Sequence, residues 1–307
     1  MLGRRQVREK VMQSVYAHKI SDQTKEVTTS NFLKGIDEIH ELYVYLLNLL
    51  PAIKNVALGK IEKAKAKQMP TEEDLNPNYK FVNNKLFDFV ESNKEISKLV
   101  EKNSKLLWSE IEVYPERIFS EFIQSEKYLN YMQGEGSSFE KDKKLILHLF
   151  DYYIADNEKI HDFLEDEKLH WSDGIYIANS MVRNTLVSLH AKSDPSTQIY
   201  TIFKDEKDRE FGLALLQKTL EKQKEIDQII VEKAENWKLD RIAAIDLIVL
   251  ELGLCELLYF MDIPANVTIN EYVEMVKNYS SEKSKIFVNG ILDKVLKDYR
   301  EQGKILK

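Results

Sequence analysis

Apolar positions in this 307-residue chain recur at helical spacing almost from end to end. Residues 4–20 place Val7, Val11 and Val15 on one side, with Met12 and Ile20 nearby, which predicts a first helix. Phe32, Ile36, Ile39, Tyr43, Leu46, Leu50 and Ile53 then alternate by four and three, the pattern of a long amphipathic helix. Pro51 is expected to kink or divide it, and the lysine-rich run 60–67 reads as its solvated end. Residues 69–80 hold two prolines and an acidic cluster, the clearest loop signal in the chain. From 80 to 192 the helical pattern continues in pieces near 80–103, 105–113, 116–132, 139–155, 157–169 and 173–192, with Ser138 and Ser172 as caps. A linker at 194–197 (DPST) precedes a helix over about 205–235.

The most apolar stretch is 240–260, DRIAAIDLIVLELGLCELLYF, with Asp240 as its expected cap. Its polar positions, Asp246, Glu251 and Glu256, step about 140° around a helix each time, so they form no continuous polar face. A helix apolar nearly all round spans a membrane or forms the axis of a buried core. Three carboxylates make spanning expensive, so the stretch reads as the central helix of a soluble bundle. Beyond Pro264, Thr268 and Glu271 match a capping box for a helix of about 268–278. Ser280 or Ser281 then opens a final helix. It carries Phe287, Ile291 and Val295 on one stripe, Val288, Leu292 and Tyr299 on the next, and Lys283, Lys285, Lys294 and Lys297 largely outside. The fold class expected is all-α.

Composition agrees: 43% hydrophobic and 31% charged residues with 10 Gly and 6 Pro favour long helices over a strand-and-turn architecture. The single cysteine, Cys255, excludes an intrachain disulfide and suits a reducing compartment. No apolar run follows the N-terminal arginines as a signal peptide requires, so a cytoplasmic protein without a membrane span is expected.

Charge changes the picture. The net charge of −7 conceals two basic ends on an acidic body. Residues 1–20 hold five basic side chains against Glu9 alone, residues 277–307 hold eight against four, and each end carries +4. The middle therefore carries −15. If the ends meet in space, they form one electropositive patch. Arg4, Arg5 and Arg8 also sit at a helix start, where the dipole prefers anions. Either the arrangement is incidental or a polyanion supplies the missing charge.

Candidate chemistry is sparse. The six histidines include no HExxH pair, the ligand-rich run HDFLEDEKLH (161–170) reads as an acidic helix face, and no phosphate loop, dinucleotide fingerprint or nucleophile elbow occurs. No metal, cofactor or small-molecule substrate is expected, and the chain reads as a binding protein rather than an enzyme. Phe287 beside Lys283 and Lys285 pairs a stackable ring with cations, as single-strand binders do. Asn289-Gly290 puts a glycine inside a helix at a cost of about 1 kcal/mol against alanine, which close packing or a partner would explain.

RRQVREKVMQSVYAHKI at 4–20 and IPANVTINEYVEMVKNYSSEKSKIFVNGILDKVL at 263–296 resemble the NusB family of transcription antitermination factors. FVNGILDK (287–294) is the most specific piece. The resemblance covers residues 1–20 and about 205–300, so the expected division is a NusB-like core of 1–20 and 205–307 and a helical insertion, 21–204, of unknown role. It implies an all-α fold of two small three-helix bundles. It also implies binding to boxA-type sequences of nascent ribosomal RNA, together with the ribosomal protein NusE, within the RNA polymerase antitermination complex. By position, Arg4, Arg5 and Arg8 match the family's arginine-rich RNA-binding helix, interrupted here by Gln6. Lys283, Ser284, Lys285, Phe287 and Asn289 match its second RNA-facing segment. Tyr16 matches a tyrosine near the protein–protein interface, and Glu232, Glu235 and Asp240 are candidates for NusE's basic side chains. The alternative is an adaptor whose insertion carries the main interaction and whose RNA face is vestigial. The insertion's aromatics, Trp108, Phe119, Phe122, Tyr152, Tyr153 and Trp171, are expected to build a second core.

Overall fold

The computed structural model describes residues 1–109, 111–234 and 239–303, except for the Asp240 side chain. Among the described residues it contains fourteen α-helices and no strand: α1 (Arg4–Ser21), α2 (Lys25–Lys65), α3 (Glu72–Leu75), α4 (Lys85–Ser92), α5 (Lys94–Lys102), α6 (Val113–Phe122), α7 (Glu126–Gln133), α8 (Phe139–Leu149), α9 (Glu158–Glu167), α10 (Leu169–Ser188), α11 (Glu206–Lys233), α12 (Ala244–Tyr259), α13 (Ala265–Tyr279) and α14 (Glu282–Glu301). The protein is all-α. The chain divides into two compact units, 35–202 (with Met1) and 2–34 joined with 203–307. Residues 22–34 thus group with α1 in the second unit, and the division falls inside α2.

In the unit of 35–202, the buried face of α2 from Leu42 to Ala57 runs through the core. Pro51 lies within this helix and does not divide it. A proline inside a helix costs about 3 kcal/mol, and burial of Leu46, Leu47, Leu49, Leu50 and Ile53 around it returns more, at roughly 1.5–3 kcal/mol per side chain. By length and hydropathy α2 passes as a membrane span, with 67% of its most apolar window buried inside the protein. The stretch singled out in the sequence for that possibility, α12, has 16 residues, about 24 Å and short of the ~30 Å hydrocarbon core. Trp108 stacks on Tyr45 at 4.3 Å, and Phe122 packs edge-on to Tyr153 at 5.3 Å. The expected aromatic core forms, apart from Tyr152, which is 64% exposed. Gly174 of α10 lets α2 approach closely: a Cβ there would meet Ile39 Cγ1 at 2.7 Å.

Several expected boundaries move. The segment 69–80 contains the short helix α3, capped by Thr71. Ser138 caps α8 as expected, whereas Ser172 lies inside α10. Residues 104–106 form only a 3-10 turn, and Phe150–Ala155 is π-helical.

The unit of 2–34 and 203–307 is built around α12. Its residues Ile248–Leu257 are all buried, Glu251 and Glu256 included. It packs against α1, α11, α13 and α14, which explains why it needs no polar face. Gly212 of α11 sits against α1, where a Cβ would meet Val7 Cγ1 at 2.6 Å. Ala243, not Asp240, occupies the N-cap position of α12; residues 239–241 form a 3-10 turn. Cys255 is buried, and burial pushes its thiol up to about 12, which leaves it inert.

Candidate nucleic-acid interface

The start of α1 is assembled from side chains that compensate one another. Its first turn has no acidic residue, and Gly3 offers no side-chain cap. Gln6, the residue that interrupts the arginines, accepts a hydrogen bond from the Gly3 backbone N–H at 3.1 Å and closes the turn. The missing negative charge comes from within the protein. Arg4 pairs with Asp208 of α11 at 3.4 Å, and Arg5 binds both oxygens of Glu271 of α13 at 2.9 and 3.0 Å. Both arginines keep much of their surface, with the Arg5 side chain 54% exposed.

Arg8 does not face solvent. Its side chain is 3% exposed and donates two hydrogen bonds of 2.8 Å to Glu256 of α12, which is fully buried. Thr268 and Tyr272 of α13 donate to the same carboxylate at 2.8 and 3.1 Å, so four donors satisfy it. Burial works against the guanidinium's charge, and the Glu256 hydrogen bond with the nearby Tyr272, Glu256 and Glu271 outweighs it, raising the Arg8 pKa. The structure thus places Arg8, expected on the RNA-binding helix, in the interior, where it anchors α1 to α12. The capping box expected of Thr268 and Glu271 is corrected as well. The helix begins three residues earlier, and these two side chains instead hold Glu256 and Arg5. Phe211 of α11 was missed in the sequence; its ring lies 5.1 Å from the Arg4 guanidinium and 5.0 Å from that of Arg8.

The second segment opens α14. Ser281 caps the helix by accepting from the Ser284 N–H at 3.2 Å, and the Ser284 hydroxyl joins those of Ser280 and Ser281. Lys283 is exposed, while Ser284, Lys285, Phe287 and Asn289 are half-buried. Asn289 donates to Asp293 at 3.1 Å. Ile286, off both apolar stripes, is 73% exposed beside these residues. A Cβ on Gly290 would meet no atom within 4 Å, so helix packing does not explain this glycine.

The two basic segments are related through α13. Glu274 is held below its usual carboxylate range first by its hydrogen bond from Lys277, with further lowering from the charges of Lys277, Arg5 and Lys285. One carboxylate thus feels both the first and the last helix. Of the residues expected at the protein–protein surface, Tyr16 on α1 and Glu232 on α11 are exposed. Glu235 and the Asp240 side chain lie outside the described residues.

The NusB family model matches residues 176–297, from within α10 through most of α14. The transcription antitermination protein NusB of Salinibacter ruber is 38% identical over 124 residues, 40% of this chain and 71% of that protein. The protein of the same name from Ruminiclostridium cellulolyticum is 44% identical over 110 residues, 34% of this chain and 76% of that protein. The one from Methylacidiphilum infernorum is 49% identical over 94 residues, 31% of this chain and 66% of that protein. This chain belongs to the NusB family. The family match does not reach residues 1–20, yet those residues fold as α1 onto α11 and α12. No solved structure matches the chain.

Proposed function

We propose that this protein is a transcription antitermination factor of the NusB family that binds boxA-type sequences of nascent ribosomal RNA together with ribosomal protein NusE. It acts in the cytoplasm as part of the RNA polymerase antitermination complex, as a binding protein and not an enzyme. The observation that carries the reading is the family membership, because relatives covered over 71% and 76% of their length carry the name transcription antitermination protein.

The RNA face in this reading comprises Arg4 and Arg5, with Lys283, Lys285, Phe287, Ser284 and Asn289 from the start of α14 and the exposed Ile286 beside them. Bound RNA phosphates would compete with Asp208 and Glu271 for the two arginines, which stay exposed enough to be taken over. Phe287 and Ile286 supply apolar surface for unstacked bases. Tyr16 and Glu232 are proposed for the NusE side, with Glu235 and Asp240.

Binding of a labelled boxA-type RNA across a salt series, with and without NusE, tests this. Tight binding that NusE strengthens is expected, with log affinity falling by about 0.7 per log unit of salt for each phosphate neutralised. A folded protein that binds no such RNA in either condition overturns the reading and moves attention to residues 35–202.

A further inference from the structure

A pocket of about 550 Å³ opens in the unit of 35–202 among α7, α8 and the π-helical turn Phe150–Ala155. Four lysines line it, Lys80, Lys127, Lys141 and Lys144, although it lies in the part of the chain that carries the negative charge. Their states differ. Lys80 is committed, donating to the Tyr131 and Gly134 carbonyls at 2.5 and 2.7 Å, and Lys141 donates to the Glu135 carbonyl at 3.1 Å. Lys127 and Lys144 are exposed and form no ion pair among the described residues. The acid in the lining, Asp151, is held by Arg183 at 3.1 Å. Cations are concentrated here and the nearby carboxylate is already neutralised.

The wall offers a ring. Tyr153 turns into the core against Phe122, while Tyr152 stands 64% exposed at the pocket. His148 packs on Tyr152 with ring centroids 4.7 Å apart, and its Nδ1 has no hydrogen-bond partner. Burial, and then Lys127, push the imidazole pKa down, disfavouring the charged form. The π-helical turn that presents Tyr152 is a rare local geometry, found frequently at functional sites.

We propose that this pocket binds a nucleotide, with Lys127 and Lys144 taking the phosphate and the Tyr152 ring stacking on the base. Two uncompensated ammonium groups beside an exposed aromatic are the elements of sequence-tolerant single-strand binding. The same chemistry is presented by a free nucleotide and by one link of single-stranded RNA. The site does not depend on the RNA face of α1 and α14, and the two are separable by mutation.

The test uses the full chain carrying Arg4→Gln and Arg5→Gln, which weakens the first face. AMP, inorganic phosphate and a labelled eight-nucleotide single-stranded RNA of mixed sequence are titrated against it. Binding of AMP or of the RNA is expected, at least tenfold weaker in Lys127→Glu/Lys144→Glu. Tyr152→Ala is expected to weaken it about tenfold, and Tyr152→Phe to restore it, because stacking needs only the ring. Circular dichroism melts of these exposed-site variants confirm the fold. RNA binding much tighter than AMP binding identifies a polynucleotide link as the ligand; equal affinity identifies the free nucleotide. Inorganic phosphate binding as tightly as AMP, no binding of AMP or RNA, or binding indifferent to Lys127, Lys144 and Tyr152 overturns the proposal.

Discussion

Arg8 and Glu256 are 248 positions apart in the chain and are joined by two hydrogen bonds of 2.8 Å almost wholly out of water. Removing one partner of such a pair leaves a buried charge alone and costs about 3–5 kcal/mol. Arg8→Ala should lower unfolding stability by that amount, measured by urea denaturation. Arg8→Met combined with Glu256→Leu should recover only part, since it removes both buried charges but leaves the Thr268 and Tyr272 hydroxyls without their acceptor. A loss under about 1 kcal/mol in the single variant would show that Arg8 is not the anchor of α1.

Arg4 and Arg5 behave differently because they are exposed. Each of their ion pairs is worth about 0–1 kcal/mol. Arg4→Gln with Arg5→Gln should leave the thermal transition nearly unmoved while weakening boxA-type RNA binding. The salt slope should become shallower by about 1.4, at roughly 0.7 per phosphate contact. A triple change that includes Arg8 should add the loss of about 3–5 kcal/mol in stability and confuse the two roles.

Glu251 supplies a pH dependence. Burial first, then Asp227, raise its pKa to about 8, against the pull of Lys19, which donates to it at 2.5 Å. One oxygen of Glu251 and one of Asp227 lack a hydrogen-bond partner, and a proton on Glu251 serves both. The folded state thus binds a proton that the unfolded chain releases near pH 4.3. Its contribution is full below that pH and is lost as pH rises to about 8. Glu251→Gln should flatten stability between pH 5 and 8, followed by denaturant midpoints at each pH. An unchanged slope would remove Glu251 as its source.

Two glycines should respond with opposite signs. Gly174→Ala forces a Cβ against Ile39 at 2.7 Å and should cost about 1–3 kcal/mol. Gly290→Ala enters open space and should stabilise α14 by up to about 1 kcal/mol. If Gly290 serves close approach of a partner, that variant binds boxA-type RNA more weakly while melting higher.

The sequence by itself determined the all-α class, the helical runs of α1, α2, α11, α12 and α14, and the family, because helical periodicity and a contiguous motif such as 287–294 are local properties. It also marked Asp246, Glu251 and Glu256 as the polar exceptions of α12, without saying what meets them. Only the tertiary structure decided that Arg8 is an internal anchor while Arg4 and Arg5 remain on the surface. Three arginines within five positions look alike in sequence, but the helix turns each toward a different neighbour: Asp208, Glu271 or Glu256. The same holds for Tyr152 and Tyr153, adjacent in the chain, one exposed at the pocket and the other packed on Phe122. Spacing encodes which face of a helix is apolar; it does not encode which distant side chain arrives there.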